Sequence, residues 1–223
     1  MQRFDCTPLC SLDHCTQVCN DLEVQIESAR ERATNDTRNR ILEVALEVLG
    51  QNPDAGMADI AASAGVVRRT VYGHFATRAD LVGSLTERAV REMTGVLADA
   101  SASNDAADVA WTDFIARLWP VVRRYRVLLA LRRGGYGEQI HRLLGPLDDV
   151  LADFVRRGQA GGAFGKHLPA GLLSQVAYAA VFSVADHDMS HGNLDATAAT
   201  VTSLLLLGVP EARAKALVTR TAE

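Results

Sequence analysis

Residues 57–81 read MADIAASAGVVRRTVYGHFATRADL, and their spacing decides the fold. Two short helices that cross closely need a small residue where they touch and a residue tolerant of positive φ in the turn. They also need a branched apolar anchor on the second helix. Ala61, Gly65 and Val71 meet these needs, with Gly four residues after Ala and Val six after Gly. Ile60, Val66 and Phe75 complete a small core beneath the second helix. With Val66, Val71 and Phe75 turned inward, Arg68, Arg69, Thr70 and Tyr72 are free to point outward. No carboxylate occurs between Asp59 and Asp80, an interval that holds Arg68, Arg69 and Arg78. A phosphate-facing surface requires such a gap in negative charge.

On either side of this stretch the chain reads as helix after helix. From Thr37 the apolar residues Ile41, Leu42, Ala45, Leu46 and Leu49 fall on one helical face, and Gly50 and Pro53 stop it. Thr77 and Asp80 form a T-x-x-D capping pattern for a helix over roughly 78–100. Further helices are predicted around 105–132, 136–143, 146–160, 169–190, 194–208 and 211–220. Breaks are placed at Gly134-Gly135, Gly145-Pro146, Gly158–Gly165, Gly192 and Gly208–Pro210. Pro120 is expected to kink or reset the helix that carries Trp111 and Trp119. No alternating strand of useful length occurs, so the fold class is all-α.

The chain has 223 residues, 48% of them hydrophobic and 22% charged, which is enough to bury a real core and excludes wholesale disorder. Its net charge of -4 argues at first against nucleic acid. That acidity is local. Residues 1–29 hold one arginine against five carboxylates, a net -4, and the other 194 residues are neutral overall. No apolar run resembles a signal peptide or approaches the roughly 18–20 residues of a membrane span, so a cytoplasmic protein with no membrane partner is expected.

The motif at 57–81 resembles the DNA-binding domain of the tetracycline-repressor (TetR) family of bacterial transcription regulators. TRNRILEVALEVL at 37–49 is similar to that family's first helix, ADIAASAGV at 58–66 to its second, and VRRTVYGHF at 67–75 to its recognition helix. TRADL at 77–81 resembles the start of its fourth helix. The likeness covers about residues 34–95. Two positions depart from it. Val67 stands where Ser or Thr usually caps the recognition helix, a bond worth roughly 1 kcal/mol. Met57 stands where a phosphate-touching Thr is common.

The resemblance implies that Arg68, Arg69 and Thr70 face the major groove, with arginine suited to bidentate contact with guanine. It implies that Tyr72, His74 and Arg78 contact phosphate. It divides the chain into an N-terminal extension (1–33), a helix-turn-helix domain (34–80) and an effector-binding and dimerisation domain (81–223). The helices at 169–190 and 194–208 would pair with those of a second copy as a four-helix bundle. The implied activity is that of a dimeric regulator, a repressor, which binds a palindromic operator and is released by a small molecule. The helix over 78–100 is the lever.

Aromatic residues are scarce, yet Trp111, Phe114, Trp119 and Tyr125 crowd into one predicted helix, with Phe154, Tyr178 and Phe182 on others. They form either the lining of a pocket for an apolar or aromatic effector or a packed core. There is no Walker loop and no G-x-S-x-G, and GQAGGAFG at 158–165 follows a helix rather than a strand. No enzyme activity, cofactor or metal is therefore expected. His187 and His191 share a helix face, but Gly192 marks a helix end, where histidines favour free carbonyls. Cys6, Cys10, Cys15 and Cys19, the only cysteines, have the spacing C-x3-C-x4-C-x3-C. On one straight helix the first pair points about 180° from the second. An incidental extension, a metal site and a thiol sensor all stay open, with residues 21–32 as a short extra helix. The alternatives to a regulator released by an effector are an all-α carrier or enzyme with a structural helix-turn-helix, and a metal- or redox-responsive regulator.

Overall fold

The computed structural model describes residues 12–192 and 194–221, with side chains described from residue 29 onward except at 189–191, 193 and 221. Among the described residues there are ten helices and no strand. They are α1 (Leu12–Gln51), α2 (Met57–Ser63), α3 (Arg68–His74), α4 (Arg78–Ala102) and α5 (Ala107–Arg124). The chain continues as α6 (Val127–Arg133), α7 (Gly137–Ala160), α8 (Ala170–His191), α9 (Ala196–Leu206) and α10 (Glu211–Thr221).

The first three helices are built as their spacing dictates. Ile41, Leu42, Ala45 and Leu49 on α1, Ile60 and Ala61 on α2 and Val71 on α3 are all buried, with Phe75 closing the core behind them. Gly65 takes φ of 65° in the turn between α2 and α3, the left-handed region open to glycine. The Asp59 carboxylate accepts from the Gly56 N–H at 2.8 Å and fixes the start of α2. At the start of α4 the cap is reciprocal. The Asp80 N–H donates to Thr77 Oγ1 at 3.1 Å and the Thr77 N–H donates to Asp80 Oδ2 at 2.9 Å.

Three local expectations are corrected. Residues 21–32 are not a separate short helix, because α1 runs unbroken through them. Gly145-Pro146 does not divide α7. Ile140, Leu147, Leu151, Phe154 and Val155 stay in helical register across the pair and are all buried. Proline there removes one bond, to the carbonyl of exposed Arg142, where water can replace it. Pro120 lies inside α5, which runs on to Arg124. The break in the predicted helix 105–132 falls instead at Tyr125 and Arg126, between α5 and α6.

The second half packs around α5 and α7. Trp111, Phe114, Phe154 and Phe164 stack edge-on or tilted with centroids 5.4–6.3 Å apart, and Trp111 Nε1 donates to Ser203 Oγ of α9 at 2.9 Å. Gly158 of α7 lies so close to this cluster that a Cβ would meet the Phe164 ring at 2.1 Å. The apolar core is continuous from Ile41 to Leu217. No helix among the described residues is long and apolar enough to cross a membrane.

Candidate nucleic-acid interface and ligand cavity

Burial of Val71, on a helix packed against α2, sets the orientation of α3. Arg68, Arg69 and Tyr72 then stand exposed on its outer side, while Thr70 and His74 are half-buried. Tyr72 keeps 51% of its surface, a large amount for an aromatic residue. Val67 at the N-cap supplies no side-chain bond, so the first N–H groups of α3 stay available. Met57 is buried rather than facing outward. The His74 ring lies 6.3 Å from Phe75, at the edge of the domain core.

Arg78 sits apart from this outward set. Its Nε donates to the Ala55 carbonyl at 3.1 Å, Nη1 to the Tyr136 hydroxyl at 2.9 Å, and Nη2 to the Pro53 carbonyl. The guanidinium also lies over the Tyr136 ring, 5.2 Å from its centroid. It fastens the loop before α2 to the segment between α6 and α7. Nearby, Gln139 Nε2 of α7 donates to the Ala79 carbonyl at 3.2 Å.

A second joint is ionic. Glu43 of α1 meets Arg88 of α4 and Arg124 of α5, each at 2.5 Å. Glu92 of α4 lies 3.4 Å from Arg88 and 3.5 Å from Arg124, and accepts from the Tyr125 hydroxyl at 2.6 Å. Burial pushes the Glu43 carboxyl up, but the hydrogen bond from Arg124 and the charges of both arginines hold it below its usual range. Burial raises the Tyr125 phenol, and its bond to Glu92 adds to the shift.

The aromatic set splits in two. Trp111, Phe114 and Phe154 belong to the packed cluster, and Trp119 is buried on the same helix. Tyr125, Tyr178 and Phe182 line a cavity instead. That cavity has an inner apolar chamber of about 40 Å³ and an outer cleft of about 500 Å³. Met93 of α4 reaches the inner chamber, and Arg132, His141 and Asp148 reach the outer cleft. These three polar residues were not singled out from the sequence. They sit on α6 and α7 with no motif to mark them.

Cys6 and Cys10 lie outside the described residues, as do the side chains of Cys15, Cys19 and His191. Cys15 and Cys19 fall on the backbone of α1, and Gly192 ends α8 in a left-handed turn with φ of 68°. Among the described residues no three side chains gather as a metal site.

Residues 41–85, which carry the α2–α3 pair and the outward arginines, match the family described as bacterial regulatory proteins, tetR family. Over these residues the chain is similar to the tetR family. Over 61 residues it is 49% identical to the HTH-type transcriptional repressor LfrR of Mycolicibacterium smegmatis, a match that spans 27% of this chain and 30% of that repressor. Solved structures share the fold over three quarters or more of this chain at lower identity. The fatty acid degradation regulator FadR from Bacillus halodurans aligns with a TM-score of 0.65 and 20% identity, over 76% of this chain and 97% of that one. LfrR from Mycobacterium smegmatis in complex with proflavine aligns at 0.59 with 23% identity, over 80% and 96%. FadR from Bacillus subtilis in complex with stearoyl-CoA aligns at 0.66 with 18% identity, over 75% and 96%.

Proposed function

We propose that this protein is a DNA-binding transcriptional repressor of the tetR family that binds a palindromic operator as a dimer and leaves it when a small molecule enters the cavity. The observation that carries the reading is the outward face of α3, where Arg68, Arg69 and Tyr72 stand exposed in a stretch without carboxylates. In this reading residues 34–80 contact DNA and residues 81–223 hold the effector and the partner subunit. Arg68, Arg69 and Thr70 read bases, and Tyr72 and His74 hold phosphate. Arg78 acts as a positioning residue, since its guanidinium is spent on Pro53, Ala55 and Tyr136. Met93, Arg88 and Glu92 all lie on α4, so the helix that follows the recognition helix also borders the cavity. By linkage, a ligand that favours one setting of α4 weakens operator affinity by the factor by which the operator weakens ligand affinity.

The test is a gel shift on operator fragments selected by the full-length protein. Each good bidentate arginine–guanine pair is worth about 1–3 kcal/mol. Replacing both Arg68 and Arg69 with Ala should therefore lower specific affinity at least about 30-fold while sedimentation still reports the same oligomer. An unchanged shift would sink the assignment.

A further inference from the structure

The two compartments of the cavity meet at shared walls, which form its neck. Leu129, Arg132, Leu144, Tyr178 and Phe182 line both the inner chamber and the outer cleft. The outer volume suits a small molecule, whereas the inner chamber of about 40 Å³ leaves room for only a few atoms.

Three polar groups around the neck are short of partners. Tyr178 is buried, and its hydroxyl donates to Met93 Sδ at 3.0 Å, a weak acceptor. Its oxygen accepts no hydrogen bond among the described residues. Asp148 is half-buried with no hydrogen bond and no cation within 4 Å among the described residues. Burial raises its carboxyl above the usual range, against the pull of His141 and Arg132. The Arg132 guanidinium has no hydrogen bond or ion pair among the described residues either, whereas its neighbour Arg133 is held by Asp186 at 2.9 Å.

The charges of the cleft cancel. Arg132 and Arg133 face Asp148 and Asp186, with His141 beside them. An anion at the neck meets Asp148, and a cation meets Arg132. An uncharged group that both donates and accepts satisfies the two together. The apolar component is aromatic, since Tyr178 and Phe182 lie edge to face with centroids 4.6 Å apart.

We propose that this site takes an uncharged hydroxyaryl compound, whose ring lies at the neck against Tyr178 and Phe182. One hydroxyl donates to Asp148, and the oxygens accept from Arg132 and Tyr178. This rests on the reading of the protein as a ligand-responsive regulator and names the ligand class of that same cavity. A ring at the neck draws the Tyr178 hydroxyl away from Met93, and Met93 belongs to α4, so occupancy is felt at the helix joined to α3.

Thermal shift of the full-length protein with three probes tests the class: a naphthalenediol, the aromatic cation acridine orange, and decanoate as an aliphatic anion. The diol should raise Tm saturably and bind most tightly. Tyr178→Phe and Asp148→Asn should each weaken it about tenfold, the worth of one lost hydrogen bond. Arg132→Gln, at an exposed position, keeps the test decisive if a buried variant fails to fold. The proposal is overturned if the diol does not stabilise the protein, if the cation or decanoate binds more tightly, or if the diol binds all variants alike. A gel shift on the same samples separates the two readings. Intact operator binding without diol binding removes the ligand class alone. Diol binding without any operator binding removes the regulator reading alone.

Discussion

The residue that departs most from its sequence neighbourhood is Arg78. It stands at the start of α4 beside a surface short of carboxylates, the place for a phosphate contact, yet its guanidinium bonds two loop carbonyls and the Tyr136 hydroxyl. Hydrogen bonds from a charged donor contribute about 1.5–3 kcal/mol each when buried, and less where water competes, as at this half-buried site. Arg78→Ala should therefore cost about 2 kcal/mol in urea unfolding, and Arg78→Lys should recover only part, because an ammonium cannot present the fork that reaches all three oxygens. A loss below about 0.5 kcal/mol would remove the tether. The outward setting of Arg68 and Tyr72 was legible because it follows from the local spacing of Val71 and Phe75. The setting of Arg78 was not, since its partners lie 23 and 58 residues away in sequence. The aromatic set was left open between pocket and core for the same reason. Trp111 and Tyr125 look alike in a helical run, and only the approach of Phe154 and Phe164 to one and Glu92 to the other separates core from cavity.

Between elements, the α1–α4–α5 joint depends on Glu43, the carboxylate shared by Arg88 and Arg124. Its folded pKa is depressed, so its stabilising contribution is complete above the unfolded value, near 4.5, and disappears as pH falls through the folded value. About 43% of the Glu43 side chain is exposed, and screening by water keeps that contribution under about 1 kcal/mol. The stability difference between the native protein and Glu43→Gln, followed by urea unfolding, should stay constant from neutral pH to about 5 and then shrink below it. A gap that widens on acidification would contradict the joint. Elements with local signatures, such as the Thr77–Asp80 cap, were readable from sequence. The continuity of α7 through Gly145-Pro146 was harder, because local breaker chemistry opposes a buried face whose partners come from α4 and α8.

At the scale of the whole molecule, one recognition helix presents too little surface for tight specific binding, and two must sit about 34–36 Å apart to enter successive major grooves. The fold leaves an apolar surface that fits the pairing proposed above. Leu172 and Val176 lie one turn apart on α8, and with Leu205 of α9 they keep 38–49% of their surface exposed. Exposed branched residues on the two helices proposed to pair are what an isologous interface buries. Around a two-fold axis a single substitution is doubled, so a carboxylate placed there faces its own copy as well as losing apolar contact. Val176→Glu combined with Leu205→Glu should convert a dimer to a monomer by sedimentation at micromolar concentration, with helicity unchanged by circular dichroism. Operator binding should fall with it although every residue of α3 is intact, because the two recognition helices no longer share a fixed spacing. A double variant that remains dimeric would place the interface on another face and detach the spacing argument from α8 and α9.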